Sequence, residues 1–144
     1  MNKEFHYWVT GLIAEYSGFQ PADCRTIAYS SEYTDDNNSE IEVFDGEFDP
    51  FPSYVSHVSQ TEDITQPIDT IMKIYPLFHF IPGDVESTPA RKDKKTYPLL
   101  TTPNSSYAQK IMQYTLQNAV SKYKAKDKSG LHSVGIAAHC YVDT

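Results

Sequence analysis

Residues 130–144 read GLHSVGIAAHCYVDT. On a helix, side chains four residues apart lie one turn apart on one face. His139 and Asp143 therefore aim an imidazole nitrogen and a carboxylate oxygen at the same point, as a metal ion or a reacting group requires. Gly135, Ala137 and Ala138, just before His139, are small. A helix so lined can press closely against its neighbours and carry its histidine inside. His132 lies seven residues earlier on the same face.

The rest of the chain offers helices for it to press against. Phe5, Trp8, Val9, Leu12, Ile13 and Tyr16 recur at i, i+3/i+4, an amphipathic pattern over residues 3–17, and Gly18 stands where a helix stops. A second helix is expected from Pro21, an early-helix proline, through Ala22, Ile27, Ala28 and Ser31 to about Tyr33. The short link makes an antiparallel or steeply crossed pair of the two. The clearest helix begins at Asn104 or Ser105 and carries Ala108, Ile111, Met112, Thr115, Leu116, Ala119 and Val120 on one stripe. Its end is marked by the lysines of KYKAKDK, near the negative end of the helix dipole.

Between these lie less regular stretches. Residues 35–63 are rich in turn formers, with Ile41-Glu42-Val43 as a strand fragment. Thr65–Tyr75 has a weak helical pattern. YPLFHFIPGD, residues 75–84, is fenced by prolines and reads as extended, with Leu77, His79 and Ile81 on one face and Phe78 and Phe80 on the other. Residues 84–103 read as a surface loop with a basic cluster at 91–95. The fold class expected is all-α: a bundle-like single domain over 1–144, with long irregular loops at 35–63 and 84–103 and one short β hairpin or extended segment.

Composition bounds the function classes. The 144 residues are 40% hydrophobic and 13% aromatic, too apolar for a disordered chain. A net charge of −7 argues against a broad basic face for nucleic acid. The charge is uneven: residues 1–90 hold 3 basic and 16 acidic residues, residues 91–144 hold 9 basic and 3 acidic. Either the two parts attract each other in one fold, or an acidic pocket is balanced by bound cations. Two cysteines, Cys24 and Cys140, make no disulfide scaffold and fit free thiols in a reducing compartment. With no apolar signal core and no run of membrane-span length, the chain reads as soluble and cytoplasmic.

Five histidines, His6, His57, His79, His132 and His139, are the candidates for chemistry. His6 lies on the first helix, Asp35 and Asp36 end the second, His79 sits in an apolar run, and His139 with Asp143 occupy the last helix. Zinc takes imidazole nitrogen and carboxylate oxygen, and a cation relieves the cost of burying carboxylates beside neutral histidines. No G-x-S-x-G, phosphate-binding glycine loop or paired CxxC occurs.

In order, FHYWVTG, AYSSEYTDD, the FHF of residues 78–80 and AAHCYVDT resemble the zinc-dependent phospholipase C and single-strand-specific nuclease superfamily of all-helical zinc enzymes. The chain is similar, more closely, to an uncharacterised bacterial family with HYW, YTDD-like, FHF-PG and GIA-H-Y-DT signatures. The superfamily resemblance implies that Asp35 or Asp36, His79, His139 and Asp143 form one zinc site, with Asp143 also reaching a second ion beside His6. It implies a general base on the second helix, for which Asp36 is the preferred residue, and tyrosines 7, 29 and 33 around the pocket. Further ligands that follow the His-x-x-x-Asp helix in that superfamily are not in this sequence, which reads as a truncated member.

The expected function is therefore a zinc-binding helical protein related to metal-dependent phosphodiesterases, acting if active on a small phosphodiester substrate. Manganese or iron suits the same donors. The alternative is a non-catalytic interaction module using the acidic 32–49 or basic 91–95 loop. A further one is a fragment that forms a homodimer through an exposed C-terminal helix.

Overall fold

The computed structural model describes residues 3–44, 54–55, 59, 72, 74–83 and 101–144. His57, the 91–95 cluster and most of the 65–75 stretch lie outside the described residues. The fold is all-α. Helix α1 (Thr10–Tyr16) is preceded by a π-helical turn, Glu4–Val9, and followed by α2 (Pro21–Asp36). A two-residue antiparallel pair, β1 (Glu42–Val43) with β2 (Tyr54–Val55), comes next. A second π-helical turn (Tyr75–His79) leads to α3 (Ser106–Lys124) and α4 (Ser129–Val142).

Each boundary has a local cause. Gly18 ends α1 with φ of +89°, which glycine adopts without a Cβ penalty. Pro21 opens α2, where its missing N–H would have no partner. Ser105, not Asn104, caps α3: its Oγ accepts the Ala108 N–H at 3.2 Å, a contact worth about 1 kcal/mol.

Helix α4 is the centre of the packing, with α2 and α3 against it and both π-helical turns touching it. The main core joins Ala14, Cys24, Ile27, Ala119, Leu131 and Val134, with Phe19 packed alongside. A second cluster, Ile81, Ala108 and Cys140 with Tyr141, forms where residues 78–81 lie on the far end of α4. Gly135 lets the backbones meet: a Cβ there would run into Ile27 O and come 2.6 Å from Ser30 Cβ. The small residues ahead of His139 thus do what the sequence suggested. The C-terminal helix is consequently packed against α2 and α3, with Ile136 and Val142 left exposed.

Two other expectations are corrected. The apolar stripe of the first helix faces outward, with Trp8 62% and Tyr16 90% exposed, while His6, Thr10 and Ala14 are buried. The helix lies on α2 through its small residues, a Cβ at Gly11 falling 3.3 Å from Ala28 Cβ, and this turns the bulky side chains away. Residues 75–79 are a tight turn, not an extended run: Phe80 N–H donates five residues back to Tyr75 O at 2.8 Å. Leu77 is exposed as a result, although His79 and Ile81 are buried as the pattern implied.

An ion pair ties the α2 start to the α3–α4 link. Lys128 Nζ donates to Asp23 Oδ1 at 2.7 Å and Tyr123 Oη to Oδ2 at 3.1 Å. The Lys128 hydrogen bond, opposed by burial and helped by Tyr123, holds the Asp23 carboxyl below its ordinary value. A carboxyl lowered by folding contributes stability above its unfolded pKa of about 3.9 and loses it as pH falls through the folded value.

Two measurements follow. Gly135→Ala should lower stability in urea by about 1–3 kcal/mol through overpacking, the opposite sign to the gain of about 1 kcal/mol expected for a solvent-facing helix glycine. Asp23→Asn should lower the thermal midpoint at pH 7, and the gap to the wild type should close on acidification from pH 5 to pH 2.

Candidate metal centre

Three imidazoles and two carboxylates converge beside α4. His139 Nε2 lies 3.0 Å from His79 Nδ1, 3.2 Å from Asp143 Oδ2 and 3.7 Å from Asp35 Oδ1. His79 Nδ1 lies 3.3 Å from Asp143 Oδ2 and 3.7 Å from Asp35 Oδ1. The other oxygen of each carboxylate turns to His6, whose Nε2 is 3.4 Å from Asp143 Oδ1 and 3.8 Å from Asp35 Oδ2. His6, Asp35, His79 and His139 are all buried, while the Asp143 side chain is 22% exposed. Two overlapping groups can hold a metal ion: His6, Asp35 and His139, and His79, His139 and Asp143.

Local structure explains each position. On α2 the buried stripe runs Cys24, Ile27, Ala28, Ser31, Thr34 and Asp35; Asp35 is four residues beyond Ser31 and shares its face. His6 and His79 both sit in π-helical turns, which widen the helix by one residue and are frequent at functional sites. Thr10, on the inner face with His6, donates through Oγ1 to Phe5 O at 3.1 Å. The 78–81 segment is pinned to α4 at two points: Cys140 Sγ donates to Phe78 O at 2.8 Å, and Ile81 N–H donates to Thr144 Oγ1 at 3.3 Å.

A second support reaches His79 from α2. Asn37, which follows the last residue of α2, accepts the Ser59 N–H at its carbonyl (3.0 Å) and donates through Nδ2 to Ser59 Oγ (3.3 Å). Ser59 O in turn accepts His79 Nε2–H at 2.6 Å. That bond fixes the His79 tautomer and leaves Nδ1 as the atom presented to the cluster, the arrangement usual for a histidine that ligates a metal.

The electrostatics favour a cation. Burial pushes the Asp143 carboxyl up, but hydrogen bonds from His139 and His79 and the charges of His139 and His6 outweigh it and hold the carboxyl well below the usual range. Burial lowers His79, and the Asp143 hydrogen bond, the Ser59 carbonyl and the charges of Asp143 and Asp35 reverse this and raise it. His6 is lowered, by burial first and by His139 second, against the pull of both carboxylates. Asp35 Oδ2, His6 Nδ1 and His139 Nδ1 are buried with no hydrogen-bond partner among the described residues. His6 Nε2, His79 Nδ1, His139 Nε2 and the oxygens of Asp35 and Asp143 face one another, which fits a divalent cation that takes their lone pairs and offsets two negative charges.

Of the residues singled out in the sequence, His6, Asp35, His79, His139 and Asp143 come together. Asp36 does not: it is exposed, 100° round the helix from Asp35, and cannot reach the cluster as a base. His132 is exposed too, 2.8 Å from Ser30 Oγ through its Nδ1. Tyr29 and Tyr33 stack on each other at 5.7 Å on the outer side of α2 rather than lining a pocket. Cys140 is buried, and burial above all, with the charge of Asp143, pushes its thiol up to about 12. Sequence reasoning missed Ser59 and Asn37, which act through backbone atoms and a side-chain amide that carry no motif.

No curated protein and no solved structure matches the chain. One family model does, over residues 1–144, described as a family of unknown function (DUF6765), and the chain belongs to that family.

Proposed function

We propose that this chain is a zinc-binding protein and that its site serves metal-assisted hydrolysis of a phosphodiester. The observation that carries the zinc reading is the spacing of the donor atoms of His79, His139 and Asp143. Ligands held at 2.0–2.1 Å around a tetrahedral zinc are about 3.3 Å apart. His79 Nδ1, His139 Nε2 and Asp143 Oδ2 are 3.0, 3.2 and 3.3 Å from one another, and Asp35 Oδ1 lies 3.7 Å from each of the two imidazole nitrogens. An all-oxygen octahedral set, as magnesium prefers, is a poorer match to two imidazoles.

The hydrolytic reading rests on what lies beside those donors. His6 Nε2 lies 3.4 Å from Asp143 Oδ1 and 3.8 Å from Asp35 Oδ2, and His6, Asp35 and His139 make a second group that can hold an ion, three donors that leave room for a non-protein ligand. When bound, such an ion supplies Lewis-acid polarisation of phosphoryl oxygens and a water acidic enough to attack near neutral pH. The protein's part is to orient and to exclude solvent. Asp35 and Asp143 each present one oxygen to either side and hold the two groups together. His79 is locked by Ser59, and the partial exposure of Asp143 marks the side from which a substrate enters. Resemblance in motif order to zinc-dependent phospholipases and nucleases supports the same reaction class.

The purified protein should carry zinc at one to two equivalents per chain, and a chelator that strips it should lower the thermal midpoint. At a free zinc concentration 100-fold above the dissociation constant the stabilisation is about 2.7 kcal/mol. His79→Ala and His139→Ala should abolish both the zinc and the chelator-sensitive part of the midpoint, whereas Asp36→Asn should alter neither. Affinity should fall with acidification, because folding raises the His79 pKa and a proton must leave Nδ1 before a metal can bind. Turnover of a chromogenic phosphodiester that is lost on chelation and restored by zinc supports hydrolysis. Loaded protein without turnover would leave a metal-binding protein and refute the catalytic part.

A further inference from the structure

The first helical stretch turns its apolar side to solvent. Phe5, Trp8, Val9, Leu12, Ile13 and Tyr16 are all exposed, while His6, Thr10 and Ala14 on the other side are buried. None of the six is charged. Taking 150–250 Å² for a fully bared aromatic side chain, the six together offer roughly 600–800 Å² of apolar surface. The largest apolar patch of an ordinary monomer is about 300–600 Å². Each partner of a standard protein interface gives up about 800 Å², so this stripe alone is close to one half of such an interface.

The shape beside the stripe suits a second stripe. A groove of about 420 Å³ runs between the first helix and α2, lined by Trp8, Gly11, Leu12, Pro21 and Ala28. Its base is where Gly11 and Ala28 meet, a Cβ on the glycine falling 3.3 Å from Ala28 Cβ. Aromatic side chains seated in such a pocket are what anchor an interface. Protruding side chains and groove lie on one face, so two copies that use both make a contact that closes on itself rather than growing into a chain. A lipid surface also takes an apolar stripe, but the charge disfavours it. The net charge is −7, with 16 acidic against 3 basic residues in the 1–90 portion that carries the stripe, and an anionic leaflet repels such a surface.

We propose that the exposed face of the first helix pairs with the same face of a second copy of this chain, making the protein a dimer. The pairing is independent of the metal-site reading, because the six side chains point away from the cluster that His6 joins.

Trp8 is the only tryptophan, so its emission reports on this face directly. Sedimentation equilibrium of the full chain should give twice 16.4 kDa, with Trp8 emission moving to shorter wavelength as concentration rises. Leu12→Glu and, separately, Tyr16→Glu should each weaken the pair by about 30-fold or more, with emission held at long wavelength and far-UV circular dichroism unchanged. Tyr114→Glu, exposed on α3, should leave the pair intact. Added salt should tighten association, since it screens the repulsion between two acidic copies. Interfaces of this size bind at about micromolar or tighter, so a chain still monomeric at about 100 μM would overturn the proposal. So would a dimer that survives both stripe variants, or one that Tyr114→Glu dissociates equally, or one that salt weakens. Emission that shifts only when phosphatidylcholine vesicles are added would overturn it too, and assign the stripe to a lipid surface.

Discussion

Two carboxylates, Asp35 and Asp143, face three imidazoles in a volume largely closed to water. Carboxylates withdrawn from water are costly unless positive charge faces them. A raised His79 supplies part of that charge as a proton, and a divalent cation supplies it more completely with the same lone pairs. Proton and metal are thus alternative occupants of one electrostatic need. A buried ion pair with one partner removed is destabilised by roughly 3–5 kcal/mol, so the cluster is costly to leave half-satisfied, and the surrounding packing has to hold it.

The packing does so by economy of side-chain volume around α4. Glycine and alanine along that helix bring α2 to backbone contact, and this places Asp35 opposite His139 rather than a turn away. The two π-helical turns do complementary work, since each bends the chain at a histidine and delivers it to the same side of α4. Cys140 and Thr144 fasten the 78–81 segment to that helix by hydrogen bonds to and from its backbone. The same residues that look like ordinary core and terminus in the sequence are therefore the mounting of the site.

Much of this was readable in the sequence, and the failures have physical causes. His139 and Asp143 declare themselves by their i, i+4 spacing, and the small residues ahead of them declare a close-packed helix. Asp35 was also legible: continuing the stripe of Ile27, Ala28 and Ser31 by one turn reaches Asp35, not Asp36, and the preference for Asp36 ignored that register. The first helix misleads because its apolar stripe is not its buried face. There, small residues set the contact with α2, and burial follows shape rather than hydrophobicity. The turn at Tyr75–His79 misleads because its prolines suggest an extended chain, while π-helical hydrogen bonding, with Phe80 N–H on Tyr75 O, closes it. Ser59 and Asn37 leave no trace, since any residue has a carbonyl to offer.

The claim that everything else depends on is that a metal ion sits among His79, His139, Asp143 and Asp35. X-ray absorption at the zinc edge of the purified, loaded protein tests it most directly. The account predicts a first shell of nitrogen and oxygen only, at about 2.0–2.1 Å, with the outer-shell scattering of two or three imidazoles. Sulfur scattering at about 2.3 Å would contradict it, because the Cys140 thiol is committed to Phe78 O and Cys24 lies in the apolar core. So would a shell without imidazole.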